Sequence, residues 1–113
     1  HKTLAQALSD IKSEEEAKDF LKDFFTDSEV ETFAKRLAVA YWLKKGRSYA
    51  NIKQNLKVSS ATIAEISSIM DKQGVRMVLS KIEADEWANV WTERIKKFIK
   101  RQLQGQFRDK IAV

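Results

Sequence analysis

The sequence contains no cysteine and no proline, and it has only three glycines in 113 residues. Without cysteine, the chain can form neither disulfides nor thiolate metal sites, and it lacks a thiol nucleophile. Many-stranded β architectures need frequent turns that contain glycine and proline. The scarcity of these two residues therefore favours an all-α fold. The sole histidine is His1, which leaves the rest of the chain without the commonest general base.

Other absences narrow the function. No apolar run is long enough to span a membrane and no leader is recognisable, so we expect a cytoplasmic protein. There is no glycine-rich phosphate loop, and the acidic run at 14–16 lacks the ligand spacing of a calcium loop. We therefore expect no enzyme, metal or cofactor. A net charge of +5 and a pI near 9.5 favour an acidic partner such as nucleic acid.

Apolar residues recur at helical spacing and predict a single helical domain over residues 1–113. Helix starts are indicated by a Ser or Thr followed three residues later by Glu, the spacing of a capping box. These pairs are Ser13 and Glu16, Thr26 and Glu29, and Ser80 and Glu83. The predicted helices are a short first one, a second to about Phe25, a third ending at Gly46, and a last one over about 80–104.

A helix-turn-helix is predicted over about 48–72. Ser48 can cap a first short helix, Lys57 and Val58 form a tight link, and Ser59 can cap a second helix that runs to about Lys72. Gly74 is expected to break the chain after it. The exposed start of the second helix is the part of such a motif that enters the major groove of DNA.

Trp42 points away from the main apolar stripe of the third helix. A helix that is apolar on more than one side lies either in the centre of a core or at an interface. The tryptophan therefore belongs to the core of one subunit or to a dimer contact, and the sequence leaves both open.

Several segments resemble the Trp-repressor superfamily, and its YerC/YecD-like branch most closely. The segments are residues 12–16, 20–24, 28–40, 46–49 and 59–63. The pattern extends without a gap from Lys12 to Ile66, half of the chain. The resemblance implies an intertwined all-helical homodimer with one helix-turn-helix per subunit, acting as a transcriptional regulator.

The sequence departs from the branch within the motif. Lys53 stands where the branch prefers a small residue, and Lys57 stands where it prefers a glycine in a left-handed turn. Early in the recognition helix, Glu65 occurs where an arginine of Trp repressors stacks over tryptophan. Its partner arginine corresponds to Arg36, which with Thr26 forms a candidate effector pocket. A carboxylate at 65 would repel the ligand, so we expect no tight tryptophan corepressor.

The candidate DNA-binding residues are basic residues around the first helix of the motif and polar residues of the second. They are Lys44, Lys45, Arg47, Lys53, Lys57, Ser59, Ser60, Thr62 and Glu65. The cations suit phosphates, and the hydroxyls and carboxylate suit base edges. The alternatives are a solvated lysine face and hydroxyls that only cap the helix.

The last helix combines aromatic and basic residues. Trp87, Trp91, Ile95 and Phe98 fit a dimer core better than a ligand cage. Basic residues follow at 94, 96, 97, 100, 101, 108 and 110. They could contact flanking DNA, balance acidic helices of a partner subunit, or keep the protein soluble. The leading interpretation is a homodimeric regulator of double-stranded DNA. The alternative is a helical protein–protein interaction module with a degenerate motif.

Overall fold

The computed structural model describes the backbone of residues 1–112. It also describes the side chains of these residues, except those at 87, 89–92, 94–95, 102–103 and 105–112. The predicted core residues Trp87, Trp91 and Ile95 therefore lie outside the described side chains, as do the cations Arg94, Arg108 and Lys110.

All regular secondary structure in residues 1–112 is helical. The helices are α1 Lys2–Ser9, α2 Glu14–Phe24, α3 Asp27–Lys44, α4 Tyr49–Leu56, α5 Ser60–Ser67 and α6 Gln73–Ala112. The all-α prediction is confirmed. None of the helices in the described part of the chain is both long and apolar enough to cross a bilayer.

The chain divides into two compact units, His1–Ser68 and Ile69–Val113. The first contains α1 to α5, and the second contains α6. The single domain expected from the sequence stays a prediction, and each unit is described by itself.

Side-chain caps begin most helices of the first unit where the sequence predicts them. At α3 the capping box is complete: Thr26 Oγ1 accepts the Glu29 N–H at 3.1 Å, and Glu29 Oε1 accepts the Thr26 N–H at 2.9 Å. At α2, Ser13 Oγ accepts the Glu16 N–H at 3.1 Å. The Glu16 carboxylate, however, accepts the N–H of Lys12, one residue before the cap. The second predicted box is therefore a one-sided cap.

The core of the first unit lies where α3, α4 and α5 pack against one another. Its buried residues are Val39 and Ala40 of α3, Ile52 of α4, and Ile63 and Ile66 of α5. The isoleucines of the two short helices are at most 2 % exposed. Because short helices are stable chiefly through tertiary packing, these contacts hold α4 and α5 on α3.

The other side of the first unit is apolar and uncovered. Neither α1 nor α2 has a buried residue. Large apolar side chains exposed by 39–72 % are Leu4, Leu8, Leu21, Phe24, Phe33 and Leu37. Phe20, Phe24, Phe25 and Phe33 form a chain of ring contacts with centroids 5.3–5.8 Å apart. We call the exposed residues of this set, Leu4, Leu8, Leu21, Phe24, Phe33 and Leu37, the N-terminal apolar face.

Three predicted boundaries are wrong. Helix α5 ends at Ser67, not near Lys72, because Ser68 is its C-cap and its hydroxyl donates to the carbonyl of Glu65 at 2.6 Å. Helix α6 begins at Gln73, not at Ser80, and it runs to Ala112 instead of about 104. Gly74 does not break the chain, since it is the second residue of α6 and does not adopt a positive φ.

Candidate DNA-binding surface

A three-residue turn joins α4 to α5 and gives the pair the connectivity of a helix-turn-helix. Ser48 Oγ accepts the Asn51 N–H at 3.1 Å and begins α4. Lys57 ends it with φ 53° and ψ 49°, and its N–H donates to the Lys53 carbonyl at 3.0 Å. The left-handed turn expected at 57 is therefore confirmed, with a lysine in it.

The start of α5 presents short hydroxyl side chains. Ser59 Oγ accepts the Thr62 N–H at 3.1 Å, and the Ser59 and Thr62 hydroxyls lie 2.9 Å apart. Ser59 is thus a helix cap, as one of the two sequence interpretations held. Ser60 is exposed and Thr62 is half-buried. Hydroxyls that bond each other still have lone pairs or a proton to offer a base edge.

Glu65 is tied to α3. Arg36 Nη1 donates to Glu65 Oε1 at 3.2 Å, and this ion pair joins residues 29 positions apart. The Arg36 side chain is 37 % exposed and the Glu65 side chain 63 %. Solvent screening makes such a pair a small contribution to stability. Its larger effect is local, since the guanidinium of Arg36 offsets the negative charge that the Glu65 carboxylate adds to the surface of α5.

Cations surround α4 on exposed positions. They are Lys44 and Lys45 at the end of α3, Arg47 before α4, Lys53 within it and Lys57 after it. Lys53 lies within α4, and Lys57 is its C-cap, four residues later. The structure thus brings the predicted cations to both ends of α4.

Arg47 is held in place. Its guanidinium lies 4.3 Å from the centroid of the Trp42 ring, and its Nη1 donates to Asn51 Oδ1 at 3.4 Å. Cation–π stacking restricts an arginine while leaving the rim of its guanidinium able to bind phosphate. Similarly, Lys45 Nζ lies 5.4 Å from the centroid of Tyr41. Trp42 is half-buried, so one role for it is to support Arg47.

The two residues of the candidate effector pocket are not brought together within one chain. Thr26 caps α3 and Arg36 is ten residues further along it, a separation of about 15 Å along the helix axis. Each is engaged elsewhere, Thr26 with Glu29 and Arg36 with Glu65.

Sequence reasoning missed two supporting contacts of this surface, those of Asn51 and Trp42 with Arg47. A spacing of four between Arg47 and Asn51 was available as a signal, but Arg47 precedes the helix, where the spacing rule does not apply. The pairing of Arg36 with Glu65 had no signal in a single sequence.

The family model for the Trp repressor protein matches residues 1–82, which include all of α1 to α5 and the first ten residues of α6. The chain belongs to the Trp repressor family. This confirms the resemblance drawn from the segments between Lys12 and Ile66. Helices α3, α4 and α5, which pack against one another, all fall within the family region.

Two relatives support the family assignment. The uncharacterized protein YerC of Bacillus subtilis (strain 168) is 28 % identical over 85 residues, which cover 74 % of this chain and 82 % of that protein. A crystal structure of a TrpR like protein from Eubacterium eligens ATCC 27750 matches with a TM-score of 0.67 at 28 % identity. That match covers 73 % of this chain and 87 % of the other. The family region ends within the third turn of α6, so most of α6 lies outside it.

Proposed function

We propose that the protein is a transcriptional regulator that binds duplex DNA through α4 and α5 as a homodimer. The observation that carries the proposal is the pairing of two features on one surface. Cations lie exposed at both ends of α4, and the polar N-terminal part of α5 is exposed beside them. In a helix-turn-helix the first helix crosses the phosphate backbone and the second enters the major groove.

The contacts divide by chemistry. Lys44, Lys45, Arg47, Lys53 and Lys57 bind phosphates, which position the protein without reading sequence. Ser59, Ser60, Thr62 and Glu65 face base edges, and they supply whatever sequence preference the protein has. A carboxylate can accept a hydrogen bond from the amino group of cytosine, so we assign Glu65 to a C·G pair.

The homodimer is supported by the N-terminal apolar face. Phe24 is 72 % exposed and Phe33 is 52 % exposed, although both belong to a cluster of ring contacts. Large apolar side chains that cluster and stay exposed, as Phe24 and Phe33 do, indicate an interaction site. A second copy of the chain carries the same face, and an isologous contact would cover both.

Tryptophan is not a tight corepressor in this proposal. The arginine that the family resemblance assigns to the ligand, Arg36, is already paired with a carboxylate at 3.2 Å. An amino acid ligand would have to displace Glu65 from Arg36 and then lie beside the freed negative charge. The internal ion pair thus takes the position that a ligand carboxylate would otherwise occupy.

Selection of genomic fragments by the purified protein tests the DNA-binding function. We expect a gel shift at moderate salt with selected fragments, and weaker shifts with random duplexes of the same length. Equal binding to both, or binding to neither, would contradict the proposal. That result would favour the alternative, a helical protein–protein interaction module with a degenerate motif.

Removing a phosphate-binding side chain changes the salt dependence. For Lys53→Ala we expect the slope of log Ka against log salt to become shallower by about 0.9 for each phosphate that is no longer neutralised. The matched control is Lys18→Ala. Lys18 is an exposed lysine of α2 that is not among the candidate DNA-binding residues, so the slope should stay unchanged. Filter binding at four or more salt concentrations measures both. Equal slopes for the two variants would remove Lys53 from the interface.

Calorimetry tests the tryptophan prediction. We expect no heat of binding for free tryptophan at micromolar concentrations and physiological salt, with or without operator DNA. As a second arm, Glu65→Arg restores the arginine that Trp repressors carry there, and we expect any tryptophan affinity to rise in that variant. Micromolar binding to the unmodified protein would contradict the prediction.

A further inference from the structure

Helix α6 extends well beyond the family region. The family model ends at residue 82, whereas α6 runs from Gln73 to Ala112 without a break. Thirty residues of helix at 1.5 Å per residue amount to about 45 Å of rod. A long helix in water owes most of its stability to packing of its apolar side, so this segment needs something to pack against.

The described side chains of this segment have one apolar side. At about 100° per residue, Ala84, Ala88, Phe98 and Ile99 fall within an arc of about 100° on the helix surface. Phe98 is 60 % exposed and Ile99 is 51 % exposed, and both alanines are exposed as well. We call these four residues the α6 stripe.

Charge is segregated along the same helix. Residues 83–93 include four acids and no base, whereas residues 94–108 include six bases and no acid. A duplex DNA partner would attract the second segment but repel the first, and it would leave the α6 stripe uncovered. The acidic segment of one copy of α6 faces the basic segment of another copy only when the two helices run in opposite directions.

Among the described side chains, each flank of the α6 stripe carries one acid and one base, on opposite sides of its midpoint. Asp85 and Lys96 lie on one flank, and Glu83 and Arg101 on the other, by the same helical geometry. When two helices pair antiparallel, a flank meets the same flank of its neighbour running the opposite way. Each acid then faces a base of the other helix.

Parallel pairing gives the opposite result. Opposite flanks then meet at similar heights, so Asp85 approaches Glu83 of the neighbour and Lys96 approaches Arg101. Like charges at these positions are unfavourable and set the orientation of paired helices. The charge pattern therefore favours the antiparallel orientation for pairing with a second copy of the chain.

We propose that α6 beyond residue 82 pairs antiparallel with α6 of a second copy of this chain. The α6 stripe forms the contact, and the two flanks form symmetric ion pairs between Asp85 and Lys96 and between Glu83 and Arg101. The pairing is isologous, since each copy offers the same surface. It is an interface additional to the N-terminal apolar face and does not depend on DNA binding.

Cysteine cross-linking of the full chain tests both contact and orientation, because the sequence has no native cysteine to interfere. One copy carries Ala84→Cys, and a second, larger through a fusion tag, carries Ile99→Cys. We expect the mixture to form a disulfide between the two under mild oxidation. Neither variant should cross-link to itself, since the two positions lie about 22 Å apart along the helix and a disulfide needs Cα atoms within about 7 Å.

Self-cross-linking of either variant alone would show parallel pairing and overturn the proposal. Absence of the mixed product would overturn it as well. The same reactions are run with duplex DNA in excess. If DNA abolishes the mixed product and protects the two introduced cysteines from oxidation, α6 beyond residue 82 contacts nucleic acid and the proposal fails. The DNA-binding function is judged separately by the gel shift, so either can fail alone.

Charge reversal provides a second readout. With Asp85→Lys or Lys96→Glu alone, two symmetric pairs become repulsive, and we expect mixed cross-linking to fall about tenfold. The double variant restores opposite charges and should recover the yield. Equal yields for single and double variants would contradict the ion pairs. The matched control is Lys97→Glu, which lies further from the α6 stripe and should change the yield less.

Discussion

Lys57 shows how one residue can combine a structural cost with a proposed function. It is the one non-glycine residue in the described backbone with a positive φ, at 53°. A side chain in this conformation costs about 1 kcal/mol relative to glycine. The position also carries a charge on the candidate surface, which offers a reason for a lysine in this turn.

We predict that Lys57→Gly stabilises the protein while weakening DNA binding. The free energy of unfolding should rise by about 1 kcal/mol, because glycine adopts the left-handed conformation without strain. Urea denaturation followed by circular dichroism measures the change. Affinity for DNA should fall, since the variant has no cation at this position to bind a phosphate.

The matched control is Lys53→Gly, one turn earlier in the interior of α4. It removes the same charge from a helical residue, so the free energy of unfolding should fall by about 1 kcal/mol. Opposite signs for the two substitutions are the expected result. Destabilisation by both would mean that the Lys57 side chain stabilises the turn by more than its backbone strain costs.

At the scale of elements, local polar contacts decide where helices begin. Thr26 and Glu29 satisfy two backbone N–H groups reciprocally at the start of α3, the helix on which α4 and α5 pack. Ser13 makes only the side-chain half of this arrangement at α2. Glu16 accepts the N–H of Lys12 instead of that of Ser13, so the two caps differ in which second backbone group they satisfy.

We predict that Thr26→Ala lowers the free energy of unfolding by about 1 kcal/mol, because it leaves a helix N–H group without its acceptor. Thr26→Ser keeps an oxygen at the same place and should recover most of the loss. Chemical denaturation of the three proteins gives both differences. A Thr26→Ser variant as unstable as Thr26→Ala would show that the methyl group, not the hydrogen bond, matters at this position.

The start of α6 shows the limit of this local reasoning. A serine and a glutamate three residues apart predict a helix start at Ser80, yet the helix continues through them from Gln73. Capping residues stabilise a helix start only where a helix begins at that position. Where the preceding residues already form helical turns, continuation retains their backbone hydrogen bonds and wins.

At the scale of the molecule, the first unit has more apolar surface than its own core covers. Five buried residues hold α3, α4 and α5 together, whereas the N-terminal apolar face has six large apolar side chains exposed. Small domains bury a limited share of their apolar surface alone, and association with another copy removes more of it from water.

We predict that Phe33→Asp converts a dimer to a monomer and weakens DNA binding more than tenfold, because the second recognition helix of the pair leaves with the partner. Sedimentation velocity measures the mass, and a gel shift measures the binding. The control Thr32→Asp adds the same charge on the neighbouring exposed residue and should leave the mass unchanged. A monomeric unmodified protein would contradict the homodimer.

Most of the fold follows from the sequence, whereas the candidate site follows only in part. The spacing of apolar residues predicts the five helices of the first unit, and Ser13, Thr26, Ser48 and Ser59 predict where α2 to α5 begin. These predicted helix bounds also place the cations around α4. They do not predict what the cations and polar side chains contact, as Arg36 and Arg47 illustrate.

The difference between what the sequence predicts and what it does not predict has a physical cause. Helix periodicity, capping and the left-handed turn depend on interactions within about four residues, which a single sequence displays directly. The pairing of Arg36 with Glu65 spans 29 positions, and it exists only because Ile63 and Ile66 pack α5 against α3. By itself, the sequence determined a helical chain with a tight turn and a basic surface. Only the tertiary structure decided which charges α5 presents and which apolar side chains stay uncovered.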